Sequence, residues 1–178
     1  MAIETIRITS VNDRHYAKAL ELYAQSFPFH EQREAYSQSA IMSHPDYHFD
    51  MMLDDGNPVG IILNWHADMF IYVEHLCIMP ALRGKGYGKM ALSMLASYGK
   101  TVILEIDPPV DAVSIRRKHF YEAAGYVENP YPHVHPPYHS GHCGHDLVVM
   151  SCPHAIDAAQ YEGFSDYLHA VVMDNAYA

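Results

Sequence analysis

Three glycines in five residues, within Arg83-Gly84-Lys85-Gly86-Tyr87-Gly88, stand between an apolar run at Phe70–Ile78 and a helix-patterned stretch at 89–98. Glycine lets a backbone turn tightly and approach a ligand closely. A helix that starts from such a turn aims its unpaired N–H groups, and the positive end of its dipole, outward. The segment therefore predicts a strand–turn–helix unit with an anion cradle suited to phosphate. Two common phosphate sites are excluded. A P-loop needs Gly-Lys followed by Ser or Thr, and Gly88-Lys89 is followed by Met90. The dinucleotide fingerprint needs G-x-G-x-x-G, whereas Gly84, Gly86 and Gly88 simply alternate.

Around this unit the pattern alternates strands and helices. Strands are expected at 3–11, 47–53, 59–65, 70–78, 102–106, 126–128 and 146–151. The turn-rich Asp54-Asp55-Gly56-Asn57-Pro58 joins the second and third as a hairpin. Tyr16, Leu20, Tyr23, Ala24 and Phe27 share one face of a helix capped by Asn12 or Asp13. A more polar helix is expected at 31–42. Another, capped by Asp111 and ended by Gly125, carries Val113, Phe120, Tyr121 and Ala124 near one apolar stripe. Tyr161, Phe164, Leu168 and Val171 predict a C-terminal amphipathic helix, packed on the domain or at the seam of a homodimer. The pattern reads as one domain at 1–152 with a helical segment at 153–178, of class α/β or α+β with a mixed sheet.

Composition narrows the partners. With 11 basic and 21 acidic residues the formal charge is −10, which repels nucleic acid and anionic lipid, so neither is an expected partner. No apolar run approaches the ~20 residues of a membrane span. The first residues lack a basic region followed by an apolar core, so no signal peptide is expected. Cys77, Cys143 and Cys152 are odd in number and irregularly spaced, which argues against a disulfide framework and for a cytoplasmic setting.

Arg83, Gly86 and Gly88 fit the pattern Arg/Gln-x-x-Gly-x-Gly/Ala after a strand, and Tyr121-Glu122-Ala123-Ala124-Gly125-Tyr126 fits Tyr-Glu-x-x-Gly-Phe/Tyr. Together they resemble the GCN5-related N-acetyltransferase (GNAT) superfamily over residues 3–151. The resemblance implies a mixed central sheet splayed between its fourth and fifth strands and flanked by helices. It implies transfer of an acetyl group from acetyl-CoA to a primary amine of a small molecule or peptide, by direct attack in a ternary complex that requires no metal. Backbone groups near Leu76 and Ile78 would hold the pantetheine arm. The N–H groups of Arg83, Gly84, Lys85, Gly86, Tyr87 and Gly88 would hold the pyrophosphate, with Lys89 adding charge. Ser114 stands where the family often carries asparagine, which leaves that coenzyme contact open. Tyr121 would protonate the departing thiolate, a role open to a phenol that is protonated at neutral pH.

An attacking amine must lose a proton, and two carboxylates compete to accept it. Glu74, by strand alternation on the face of Leu76 and Ile78, is the first candidate. Glu105 is the rival, because a charge within an apolar strand is costly to bury without a partner or a purpose. His75 and Cys77 point to the opposite face.

Acceptor specificity is assigned by the resemblance to 27–33 and 131–145. Glu31 there either pairs with a cationic acceptor or simply complements a helix dipole. His133, His135, His139, His142 and His145, with Cys143, crowd the late segment, expected as a solvated loop over the substrate mouth. Their spacing matches no standard zinc pattern, so no metal ligand is assigned. The competing readings are a non-catalytic acyl-CoA sensor of the same fold, or a metal-binding protein using this loop.

Overall fold

A computed structural model describes residues 3–177, so residues 1, 2 and 178 of the expected domain and C-terminal segment lie outside the described residues. In chain order the elements are β1 (Glu4–Ile8), α1 (Tyr16–Ser26), a 3-10 turn (Phe29–Glu31), α2 (Ala35–Ile41), β2 (Tyr47–Asp54), β3 (Asn57–His66), β4 (Phe70–Ile78), a 3-10 turn (Pro80–Leu82), α3 (Tyr87–Ala96), β5 (Thr101–Ile106), α4 (Ala112–Ala123), β6 (Val127–Glu128), β7 (Val134–His135), β8 (His145–Asp146), β9 (Val148–Cys152), α5 (Ala158–Tyr167) and a π-helical turn (Leu168–Val172).

The main sheet runs β1-β2-β3-β4-β5-β9-β6, with β7 and β8 forming a separate ribbon. Its neighbours are antiparallel except β4 and β5, which pair in parallel. That pairing runs only from Phe70 opposite Thr101 to Val73 opposite Leu104. Beyond it β4 continues through Glu74 to Ile78 and β5 through Glu105 to Ile106, and the two strands part. The expected splay is present.

Each sheet face carries its own core. One gathers Phe49, Leu63, Trp65 and Tyr72 under α1, α2 and α5; the other gathers Ile62, Val73 and Leu104 under α3, with Tyr121 of α4 and Ala124 at its C-cap packed against it. The C-terminal helix packs on its own domain through fully buried Phe164 and Leu168. Among the described residues no helix is long and apolar enough to cross a membrane.

Several boundaries differ from expectation. The first helix starts at Tyr16, because Asp13 folds back to accept from the His15 N–H at 2.8 Å instead of capping it. The helix expected at 31–42 is split into the 3-10 turn and a short α2. On α4 Val113 and Phe120 are exposed, so the apolar stripe expected there is partial. Asp111 does cap α4, through a capping box with Ser114.

Candidate active site

The parting of β4 and β5 opens a cleft of about 720 Å³, lined among others by Leu76, Ile78, Arg83, Glu105, Tyr121 and His135. At one end lies the glycine turn. Gly84 and Gly86 have φ of 78° and 88°, a left-handed backbone that side-chain-bearing residues adopt only with strain. Gly86 is the N-cap of α3, and the first intrahelical bond runs from the Met90 N–H to its carbonyl. Among the described residues, the N–H groups of residues 84 to 89 donate to no protein acceptor. A helix start supplies such orphan donors, and this turn adds more. The Arg83 Nε donates to the Ile78 carbonyl at 3.2 Å, tying the turn to the end of β4.

The predicted residues of this region fall into distinct settings. Leu76 and Ile78 are half-buried and line the cleft. Lys85 and Lys89 are exposed. The Tyr87 ring is buried, and its hydroxyl donates to Asp54 at 2.6 Å, so only its backbone N–H is left unpartnered in the turn. Ser114 is buried, its hydroxyl committed to the α4 cap and not to the cleft lining. The Tyr121 hydroxyl has no hydrogen-bond partner among the described residues, and the residue lines the cleft. Burial pushes its phenol up, so it stays protonated and can donate. Arg116, which sequence reasoning did not single out, adds a cation to the same wall.

The two carboxylates sit differently from expectation. Between Leu63 and Asn64 of β3 the register with β4 slips, so that Leu63 faces His75 and Asn64 faces Val73. Glu74 is the extra residue of a β-bulge. The bulge breaks simple alternation, and Glu74 lies on the α1 side with His75 and Cys77, not with Leu76 and Ile78. There Glu74 accepts from Arg33 Nη2 at 3.0 Å, Trp65 Nε1 at 2.7 Å and the Tyr138 hydroxyl at 2.8 Å. Burial alone would raise its carboxyl, but Arg33 and these donors outweigh it and hold it down at about 2. Arg33 is equally buried and also donates to the Val172 carbonyl at 2.8 Å, linking the site to the C-terminal turn.

Glu105 is buried beyond the last parallel pair. It accepts from the Tyr72 hydroxyl and is bonded to His133 Nε2, and His135 Nε2 lies 4.0 Å away. Burial works to raise it, but the two histidines and Tyr72 win and lower it. His133, His135 and His139 are thus buried and partnered, so the late segment is not the solvated loop expected. Its prolines and glycines fold these rings inward against Glu105, Glu34 and the Phe29 carbonyl.

His135 is the least committed of the three. Its Nδ1 donates to the Pro136 carbonyl at 2.6 Å, which leaves Nε2 as the lone-pair nitrogen of the neutral ring. Tyr138, 3.4 Å from that nitrogen, spends its single proton on Glu74. Arg33, His133, His135 and Tyr138 carried only loose signals in the sequence. Nothing local says that they meet on two strands distant in the chain.

The family model for the GNAT acetyltransferases matches residues 16–126. A structure from Bacteroides thetaiotaomicron, assigned to GNAT-family acetyltransferases, superposes with a TM-score of 0.84 at 32% identity, covering 97% of this chain and 98% of that one. The chain belongs to the GNAT acetyltransferase family. Two further GNAT-like structures show the fold alone. One is Arabidopsis thaliana Naa50 in complex with a bisubstrate analogue, CoA-Ac-MVNAL (TM-score 0.58, 16% identity, 85% and 98% covered). The other is the ribosomal-protein-S18-alanine N-acetyltransferase of Escherichia coli (TM-score 0.55, 16% identity, 88% and 96% covered). No curated protein matches the chain significantly. His30 and Glu31 of the 27–33 segment and His135 and His145 of the 131–145 segment line the same cleft as Arg83 and Gly88 of the glycine turn.

Proposed function

We propose that this GNAT protein transfers an acetyl group from acetyl-CoA to a primary amine of a small molecule or peptide, by direct attack in a ternary complex. The observation that carries the reading is the row of unpartnered N–H groups at 84–89, set where two parallel strands part. A diphosphate satisfies those donors. The pantetheine arm then runs along the freed edge of β4 near Leu76 and Ile78, as an added strand does. The cleft walls suit the rest: Arg83 and Arg116 line it and add positive charge for the phosphates, with exposed Lys85 and Lys89 outside the lining, while Glu31 and Glu105 line it too and favour a cationic amine.

The proton balance uses this chain's own groups. The ammonium first releases one proton to solvent. The neutral amine nitrogen then attacks the thioester carbonyl, the C–S bond breaks, and the departing sulfur takes the Tyr121 hydroxyl proton, which solvent restores to the phenolate. The amine's proton passes to His135 Nε2, and Glu105 at 4.0 Å stabilises the imidazolium that forms. Glu105 therefore acts through His135. Glu74, held at about 2 and saturated by three donors, is a weak acceptor and serves to fix Arg33, Trp65 and Tyr138.

Thiol release measured over a panel of amines tests the reading. Tyr121→Phe is expected to lower kcat about 10²-fold or more, with the calorimetric Kd for acetyl-CoA unchanged. Absence of any acetyl-CoA binding heat at millimolar concentration with folded protein would sink the proposal.

A further inference from the structure

At the outer rim of the cleft, three side chains from two distant segments converge. His30 and Glu31 come from the 3-10 turn after α1, and His145 comes from β8. One ligand-capable atom of each lies within 4.8 Å of the other two, and His30 Nε2 stands 3.7 Å from Glu31 Oε1. The His30 and His145 rings are 5.8 Å apart.

Their hydrogen bonding sets these groups apart from most other histidines of the region, although the His142 ring likewise makes no hydrogen bond among the described residues. His75, His133, His135 and His139 each bond a carbonyl, a carboxylate or a hydroxyl. Among the described residues, His30, Glu31 and His145 have no side-chain hydrogen bond at all. Asp107 Oδ1 is 3.4 Å from His145 Nε2, which leaves Nδ1 as the nitrogen free to ligate, and the other Asp107 oxygen is taken by Arg117. A carboxylate behind a ligating imidazole orients the ring and raises its basicity.

We propose that His30, Glu31 and His145 form a binding site for a borderline divalent metal ion, of which Zn²⁺ is the type. Two imidazoles and a carboxylate are a donor set that zinc accepts, with at least one position left toward the cleft. Hard oxygen-seeking cations such as Mg²⁺ and Ca²⁺ are not served by two nitrogens. Tetrahedral ligation wants donor atoms about 3.3–3.5 Å apart, given metal–ligand bonds near 2.0–2.1 Å. Exposed His30 reaches that spacing by side-chain rotation. The ion takes no part in acyl transfer. It staples the 29–31 turn to β8 across the acceptor mouth, and its occupancy sets how far that mouth opens.

The test reads binding, not turnover, so it is independent of the acetyl-transfer reading. Zn²⁺ is titrated calorimetrically into chelator-treated full-length protein. One site is expected, weakened at least tenfold in each of His30→Ala, His145→Ala and Glu31→Gln, and unchanged in the exposed controls His119→Ala and His154→Ala. Amide hydrogen exchange over 139–146 slows with Zn²⁺ in the native chain and not in His145→Ala. Equal affinity in all five variants, or equal loss in the controls, overturns the site. Binding that leaves exchange unchanged overturns the staple.

Discussion

Glu74 and Glu105 occupy neighbouring strands at the point where those strands separate, yet their surroundings assign them different duties. Glu74 and Arg33 form an ion pair with both side chains about 1% exposed. Such a pair adds little over a well-packed apolar pair, but removing one partner strands the other charge. Arg33→Met is therefore expected to cost about 3–5 kcal/mol in urea unfolding. Glu105 instead stands beside a histidine whose Nε2 has no donor of its own. His135→Ala is expected to lower kcat about 10²-fold, and Glu74→Gln, which keeps the side-chain shape but turns one accepting oxygen into a donor and so costs stability, less than tenfold in the protein that remains folded. Steady-state kinetics on one responsive amine separates the two. Equal losses would return Glu74 to the role of base. That distinction was not legible in the sequence. Strand alternation placed Glu74 beside Leu76 and Ile78, and one inserted residue in the β3–β4 register reversed the placement.

At the scale of elements, the glycine turn and α3 behave as one device. The Gly86 backbone at φ 88° suits glycine, and a Cβ there meets no neighbouring atom, so the cost of substitution is conformational and not steric. Gly86→Ala is expected to cost about 1–2 kcal/mol, because an L-residue resists the left-handed region. If the turn relaxes to escape that strain, the N–H groups of 84–89 lose their common aim. Acetyl-CoA binding by calorimetry is then expected to weaken about tenfold or more. Undiminished affinity would mean that the turn does not hold the diphosphate. This element was legible in advance because a turn and a helix start are local events. The helix expected at 31–42 was not. Its first turn is captured by the cleft, where His75 Nε2 lies 2.9 Å from the Glu31 carbonyl. Tertiary contacts there override helical propensity.

For the molecule as a whole, acid is the expected route to unfolding. Glu74 is held at about 2, below the ordinary carboxylate value of 4.5. A depressed carboxylate contributes stability above 4.5 that is lost as pH falls toward 2. His66 is lowered to about 4 from 6.5, first by burial and then by neighbouring His48, and buried His75 moves in the same direction. A histidine with a depressed folded value resists the proton that the unfolded chain accepts, so stability present above 6.5 is lost as pH falls toward 4. Chemical denaturation across pH 7.5 to 3 should show a steady decline. His66→Phe is expected to flatten the portion between 6.5 and 4, and a profile as steep as the native one would contradict the assignment. The C-terminal segment is expected to unfold together with the sheet it packs on. Phe164 packs edge-on to Phe70 and against Tyr72, and Arg33 donates to the Val172 carbonyl. Phe164→Ala is therefore expected to cost about 3–5 kcal/mol in a single transition.

The linear chain determined what depends on near neighbours: strand and helix periods, the hairpin at Asp54–Pro58, the Asp111 cap, the glycine turn and the Tyr121 motif. These need only a few residues to agree with one another. The tertiary structure alone decided which carboxylate meets a free imidazole, which histidines are buried, and where the C-terminal helix lies. Those outcomes rest on contacts between residues dozens of positions apart, such as Arg33 with Glu74 and His133 with Glu105. A single bulge or a folded-in loop redirects such contacts without leaving a periodic trace in the sequence.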